Sequence, residues 1–222
     1  MMQKKLMAWL FSSVLLSVLI TPCFAARGYE GYADLLTEAP WFDGAKSTID
    51  YQDTTVGKIG TAAWVGIDNN SADGLKWIQG GWVKWKGQEP KIYWEYTDKN
   101  GDCARGYDEA PGASETYAQK KKADNVEWTH GDIVYKTVAW TKFDTVAFRK
   151  IQYGAEMLDP PDDHTPGKAA SKNNFASSMG RPAGGVFAAT GLAHKLDSAA
   201  DGNVEKYGDA NSGNLRTWDS RN

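Results

Sequence analysis

The sequence predicts an all-β protein, built as an antiparallel two-sheet sandwich of jelly-roll type. Three observations lead there. Helical periodicity is scarce, several segments alternate with a period of two, and clusters of turn-forming residues separate those segments at short intervals.

The alternating segments are rich in Val, Ile, Tyr, Trp and Thr, the residues that suit a pleated, half-buried surface. In chain order the expected strands are KSTIDY (46–51), TAAWVGID (61–68), KWIQGGWVKW (76–85), KIYWEYTD (91–98), DIVYKTVAW (132–140), TVAFRKIQYGAEML (145–158), NNFASSM (173–179) and NLRTWDS (214–220). KGQEP, DKNGD, EAPGAS and TKFD supply turns between them. The strand at 61–68 is the most apolar, and Trp64 within it is expected to be buried between the sheets. DPPDDHTPGKAASK (159–172) reads as a loop, because Pro160, Pro161 and Pro166 cannot donate to a central ladder. Residues 180–213 are rich in Gly, Ala, Asp and Asn and alternate poorly, so they read as a long excursion with one short helix near Leu192 to Ala200.

The N-terminus carries a different signal. Lys4 and Lys5 precede a mostly apolar run of 15 residues from Leu6 to Ile20, and Cys23 and Ala25 fill the two small-residue positions that a signal peptidase reads. The run is short for a bilayer span. Pro22 suits lipoprotein processing at Cys23 poorly. Residues 1–25 are therefore expected to be a removed signal peptide, and the protein to be secreted, either to the extracellular side or to the periplasm. Residues 26–222, about 197 residues, would form a single domain able to bury a substantial core. Without Cys23 only Cys103 remains, which predicts one inert thiol and no intrachain disulfide.

The net charge of −3, about −5 once Lys4 and Lys5 are removed, excludes a nucleic-acid partner, which needs a basic surface. The histidines His130, His164 and His194 are far apart in loop-like contexts and read as solvated surface residues, without metal-ligand spacing. Asp162 and Asp163 fall short of the ligand count of a calcium loop. No nucleophile-elbow motif supports a serine hydrolase. No metal and no cofactor is implied.

What remains are Gln79, Glu95 and Glu156. Alternation along 76–85 puts Trp77, Gln79, Gly81, Val83 and Trp85 on one face and Ile78, Gly80 and Trp82 on the other. Gln79 thus shares a face with two tryptophans and adjoins the pair Gly80-Gly81, and glycines inside a strand mark close approach by a ligand or another backbone. Glu156 follows Gly154 and Ala155, which leave room around its carboxylate. From spacing alone the plainer reading, polar residues on a half-exposed strand, stands ahead of a catalytic one.

AWVGID, a polar loop, WIQGGW, YWEYTD and GAEML, in this order, resemble the glutamic peptidases called eqolisins and the related concanavalin A-like secreted β-sandwich proteins. The resemblance spans roughly residues 55–180. It implies that Gln79 and Glu156 are the catalytic pair, with Glu95 at the intermediate glutamate position. Met157 stands where the family has tryptophan. The implied protein is a secreted glutamic endopeptidase, a hydrolase of peptide bonds at acidic pH. A carboxylate passes protons between water and the leaving amine, and the glutamine amide serves the oxyanion. Trp77, Trp85 and Glu95 would contact substrate. The competing expectation is a lectin-like module that binds carbohydrate or a surface polymer on a tryptophan-lined concave sheet. Either way the partner is a polypeptide or a polysaccharide, the membrane plays no part after signal removal, and the chain is expected to be a monomer.

Overall fold

The computed structural model describes residues 29–32, 35–36, 41–71, 74–159, 162–189, 202–206, 208 and 214–221. Two sheets account for nearly all of them. The first runs in the order β1 (Tyr29–Tyr32), β11 (Lys150–Met157), β4 (Gly60–Asp68), β5 (Trp77–Trp85), β6 (Lys91–Thr97) and β7 (Cys103–Tyr107), with the short β2 (Leu35–Leu36) also on β11. The second runs β10 (Ile133–Ala139), β9 (Asn125–His130), β8 (Ser114–Lys122), β3 (Phe42–Asp50), β13 (Ser171–Pro182), β12 (Gly167–Lys168), β16 (Leu215–Asp219) and β15 (Gly202–Lys206), with β14 (Ala188–Ala189) on β13. Pairing is antiparallel except for one parallel bridge from Lys168 to Asp219. The protein is the two-sheet antiparallel sandwich that the alternation predicts.

The core lies between the sheets and takes alternate residues from each strand. The first sheet contributes Ala63, Val65 and Ile67, Ile78 and Trp82, Ile92 and Tyr96, and Ile151, Tyr153 and Ala155. The second answers with Ala45, Ile49, Tyr117, Val126, Trp128, Phe175 and Leu215, while Phe143 and Phe148 join the same cluster from the connection before β11. Each aliphatic side chain so buried contributes about 1.5–3 kcal/mol. Two interlayer indoles also bridge the sheets. Trp82 Nε1 donates to the Asp50 carbonyl at 3.0 Å, and Trp128 Nε1 donates to the Gln79 carbonyl at 2.9 Å. Each of these two indole N–H groups thus has an acceptor.

Several expectations change in the structure. Trp64 is buried, but on the outer face of the first sheet with Ala62, Val83 and Tyr93, not between the sheets. Every residue of β4 is buried, so alternation could not tell which face met the core. Strands β7, β8, β9 and β15 were not expected. SETYAQKKK, for instance, hides its strand character behind a run of lysines. His130 is buried, with Nδ1 at 2.7 Å from Glu115 Oε1, rather than solvated. Cys103 is disulfide-bonded, which corrects the free thiol; the sequence has one other cysteine, Cys23. That residue, the signal segment, His194 and the expected helix near Leu192 lie outside the described residues. Among the described residues, no helix is long and apolar enough to cross a membrane.

Candidate active site

Register assembles the site on the outer face of the first sheet. Gln79 on β5 lies directly opposite Glu95 on β6, and Glu95 directly opposite Arg105 on β7. One row of three side chains therefore crosses three strands. The adjacent row holds Trp64, Gly81 and Tyr93. Glu156 on β11 pairs with Ala62, which pairs with Val83, on the other side of that row.

The glycine pair beside Gln79 is explained by packing. A Cβ on Gly81 would come within 2.1 Å of the Ala63 carbonyl oxygen and 2.7 Å of the Trp64 Cα. A Cβ on Gly80 would meet Trp128 Cδ1 and Tyr135 Oη at 3.0 Å each. The close approach is thus by a neighbouring backbone on one face and by rings of the second sheet on the other. Tyr135 Oη also donates to the Tyr93 carbonyl at 3.0 Å, so the second sheet holds the backbone behind both Gln79 and Tyr93.

On the outer face the polar atoms form a hydrogen-bonded chain of four residues and, beside it, a separate pair. Arg105 Nη2 donates to Glu95 Oε1 at 2.8 Å. Gln79 Nε2 donates to Glu95 Oε2 at 3.2 Å and to Tyr93 Oη at 3.3 Å. Trp64 Nε1 donates to Glu156 Oε2 at 3.2 Å. Glu95 is 2% exposed and Glu156 4%. Burial raises the pKa of Glu95, against the lowering pull of Arg105 and of the Gln79 amide. For Glu156 burial is again the largest influence and the charge of Glu95 adds to it; the Trp64 N–H and Arg105 oppose, and the carboxyl ends at about 8. Two buried carboxyls in one cleft are therefore differently furnished. Glu95 has a guanidinium partner and Glu156 has none among the described residues.

Ala62, Gln79, Val83, Trp85, Tyr93, Glu95, Arg105, Glu156 and Leu158 line this cleft, which has room for about one water molecule. Of the residues singled out in the sequence, Gln79, Glu95, Glu156 and Trp85 come together here. Trp77 shares their face at the start of β5 but stands outside the cleft lining, half-buried, with its indole N–H buried and without an acceptor. Arg105, Tyr93 and Trp64 were not foreseen as site residues. Arg105 was hidden in CARGY, whose strand character the neighbouring turn obscured. The guanidinium also lies 5.7 Å from the Trp85 ring centroid, and Tyr107 meets that ring edge-on at 6.5 Å.

No family model and no curated protein matches the chain. Solved structures do. Scytalido-glutamic peptidase with a transition state analog inhibitor matches at a TM-score of 0.59 and 12% identity, and the same peptidase with a peptide-based transition state analog at 0.58 and 14%. SCP-B, a member of the eqolisin family solved with the tripeptide Ala-Ile-His, matches at 0.55 and 12%. Each match covers 87% of this chain and 99% of the other. The likeness thus extends well beyond residues 55–180, and the chain shares the fold of the eqolisin glutamic peptidases.

Proposed function

We propose that the protein is an exported glutamic-type endopeptidase, with Glu156 and Gln79 as its catalytic pair. The observation that carries this reading is a buried carboxyl without a cationic partner among the described residues, set beside a fixed amide in a cleft that admits about one water. Glu156 is the group that exchanges protons, first taking one from water and then giving it to the leaving amine. Gln79 has both amide hydrogens engaged, by Glu95 and Tyr93, so its carbonyl oxygen is the end left to hold the water. Glu95, anchored by Arg105, fixes that orientation. Trp85 offers an apolar wall to the substrate, and Trp77 a contact farther along the same face. The structures that share the fold were solved with a peptide-based transition state analog and with a tripeptide, which fits a peptide ligand on this sheet.

The carbohydrate reading relied on Trp77 and Trp85 together, and the cleft brings in Trp85 without Trp77. The test is a peptide-library digest by the wild-type protein from acidic to mildly alkaline pH, alongside Gln79→Ala. Cleavage that Gln79→Ala reduces by about 10²-fold, as loss of the group that positions the water should, supports the proposal. Wild-type protein that cuts no peptide at any pH sinks it. Export is tested by intact mass and thiol titration: a chain beginning near Ala26 would lack Cys23 and carry Cys103 as a free thiol.

A further inference from the structure

We propose that Tyr93 is a catalytic residue of this cleft, its phenol O–H donating to the carbonyl oxygen of the scissile bond as that oxygen becomes negative. The proposal rests on the peptidase reading and names the oxyanion donor within it.

The direction of each hydrogen bond in the cleft leads to this assignment. Arg105 can only donate, and it donates to Glu95. The ionised Glu95 can only accept, so Gln79 must turn its nitrogen toward Glu95 Oε2. The same nitrogen reaches Tyr93 Oη, which accepts at 3.3 Å. Both Gln79 hydrogens are then committed, and the amide has none left for an oxyanion. The Tyr93 hydroxyl, having accepted, has its own proton to give. That proton meets no acceptor among the described residues, and the side chain lines the cleft beside Glu156.

The surroundings suit a donor. Tyr93 is 3% exposed and packs with Ala62, Trp64 and Val83, so water competes little for its hydroxyl. The bond received from Gln79 polarises the O–H further. The groups facing the ring are Gln79 on β5, Glu95 on β6, Arg105 on β7 and Glu156 on β11. Burial first, then the charges of Glu156 and Glu95, raise the phenol well above its ordinary range against the opposing Arg105. The phenol stays protonated throughout the working pH range. From behind, the Tyr135 hydroxyl holds the Tyr93 carbonyl and fixes the base of the side chain.

The step balances with water as the co-reactant. Ionised Glu156 takes a proton from water while the water oxygen bonds to the carbonyl carbon. The C=O electron pair moves onto its oxygen, which the Tyr93 O–H holds without transferring its proton. The pair then returns, the C–N bond breaks, and the Glu156 proton passes to the nitrogen. The products are an acid and an amine.

The experiment is steady-state kinetics of Tyr93→Phe on a peptide that the wild-type protein cleaves, with near-UV circular dichroism to verify the fold. Turnover should fall about 10²–10³-fold with KM changed by less than about twofold, because the bond strengthens only in the transition state. A fluorinated tyrosine at position 93, isosteric but more acidic and so a stronger donor, should raise kcat with KM unchanged, which a purely structural role would not do. If Tyr93→Phe does not fold, the fluorinated variant decides alone. Wild-type turnover in a folded Tyr93→Phe variant, or an unchanged kcat with fluorotyrosine, overturns the proposal and leaves the peptidase reading intact. Inactive wild-type protein sinks both.

Discussion

Two regions of this molecule take carboxylates out of contact with solvent and treat them in opposite ways. At the corner where the β4 entry meets the loop before β12, Asp163 and Asp219 have no exposed surface. Asp163 accepts the backbone N–H groups of Lys58 at 2.7 Å, Ile59 at 3.1 Å and Gly60 at 2.8 Å. Asp219 accepts the Thr165 N–H and the Arg221 backbone and guanidinium. Burial alone would raise Asp219, but the bonds from Arg221 and Thr165 outweigh it and bring the carboxyl below its ordinary value. Glu156 in the cleft has one side-chain donor, the Trp64 indole, and rises to about 8. The donors that reach each carboxylate help separate one that staples the fold from one that can move a proton. The PDDH segment thus owes its buried aspartate to backbone capture.

The sharpest way to break that comparison is Glu156→Gln, which keeps volume and removes the exchangeable proton. Peptide turnover should fall by about 10²–10⁴-fold; a variant with wild-type turnover would make Glu156 a structural carboxyl like Asp163. The matching change at the corner, Asp163→Ala, should leave activity per folded molecule unchanged. It should cost about 1–3 kcal/mol for each backbone N–H left without its acceptor, read from urea unfolding. A loss under about 1 kcal/mol would mean that the corner does not depend on this carboxylate.

Trp64 joins the two kinds of behaviour, since it is both packed and the donor to Glu156. Trp64→Ala should destabilise by about 3–5 kcal/mol. Its loss should also push Glu156 higher, because the indole bond is one of the influences that lower it. The smallest effect concerns pH. Folded Glu156 keeps its proton up to about 8, whereas its ordinary value is 4.5. Between these values the folded state binds more protons than the unfolded one, so the stability from this group is full below about 4.5 and is lost as pH rises through about 8. Glu156→Gln should therefore gain on wild type by about 1.4 kcal/mol per pH unit across that window, seen in melting curves. Equal pH dependence in the two proteins would deny the raised pKa. The same sign moves the expected activity range: the base step needs ionised Glu156, so kcat/KM should climb from acidic pH toward about 8. A maximum in acid would instead assign the water proton to Glu95 and the neutral, donating role to Glu156.

By itself the sequence determined the β class, the eight expected strands and the face that Gln79 shares with Val83 and Trp85, because a strand writes its period of two into the order of its residues. The resemblance carried by AWVGID, WIQGGW, YWEYTD and GAEML singled out Gln79, Glu95 and Glu156, which the fold places in one cleft. Tertiary structure alone decided the rest. Period two assigns faces but not neighbours, so nothing in KIYWEYTD or CARGY announces that Glu95 faces Arg105, or that Tyr93 lies within reach of Gln79. Nor could alternation place Trp64, since β4 is covered on both faces, by the second sheet on one side and by its own site residues on the other. Cross-strand register is set by turns and by the packing of a whole sheet, and it is register that turned three separate polar residues into a wired site.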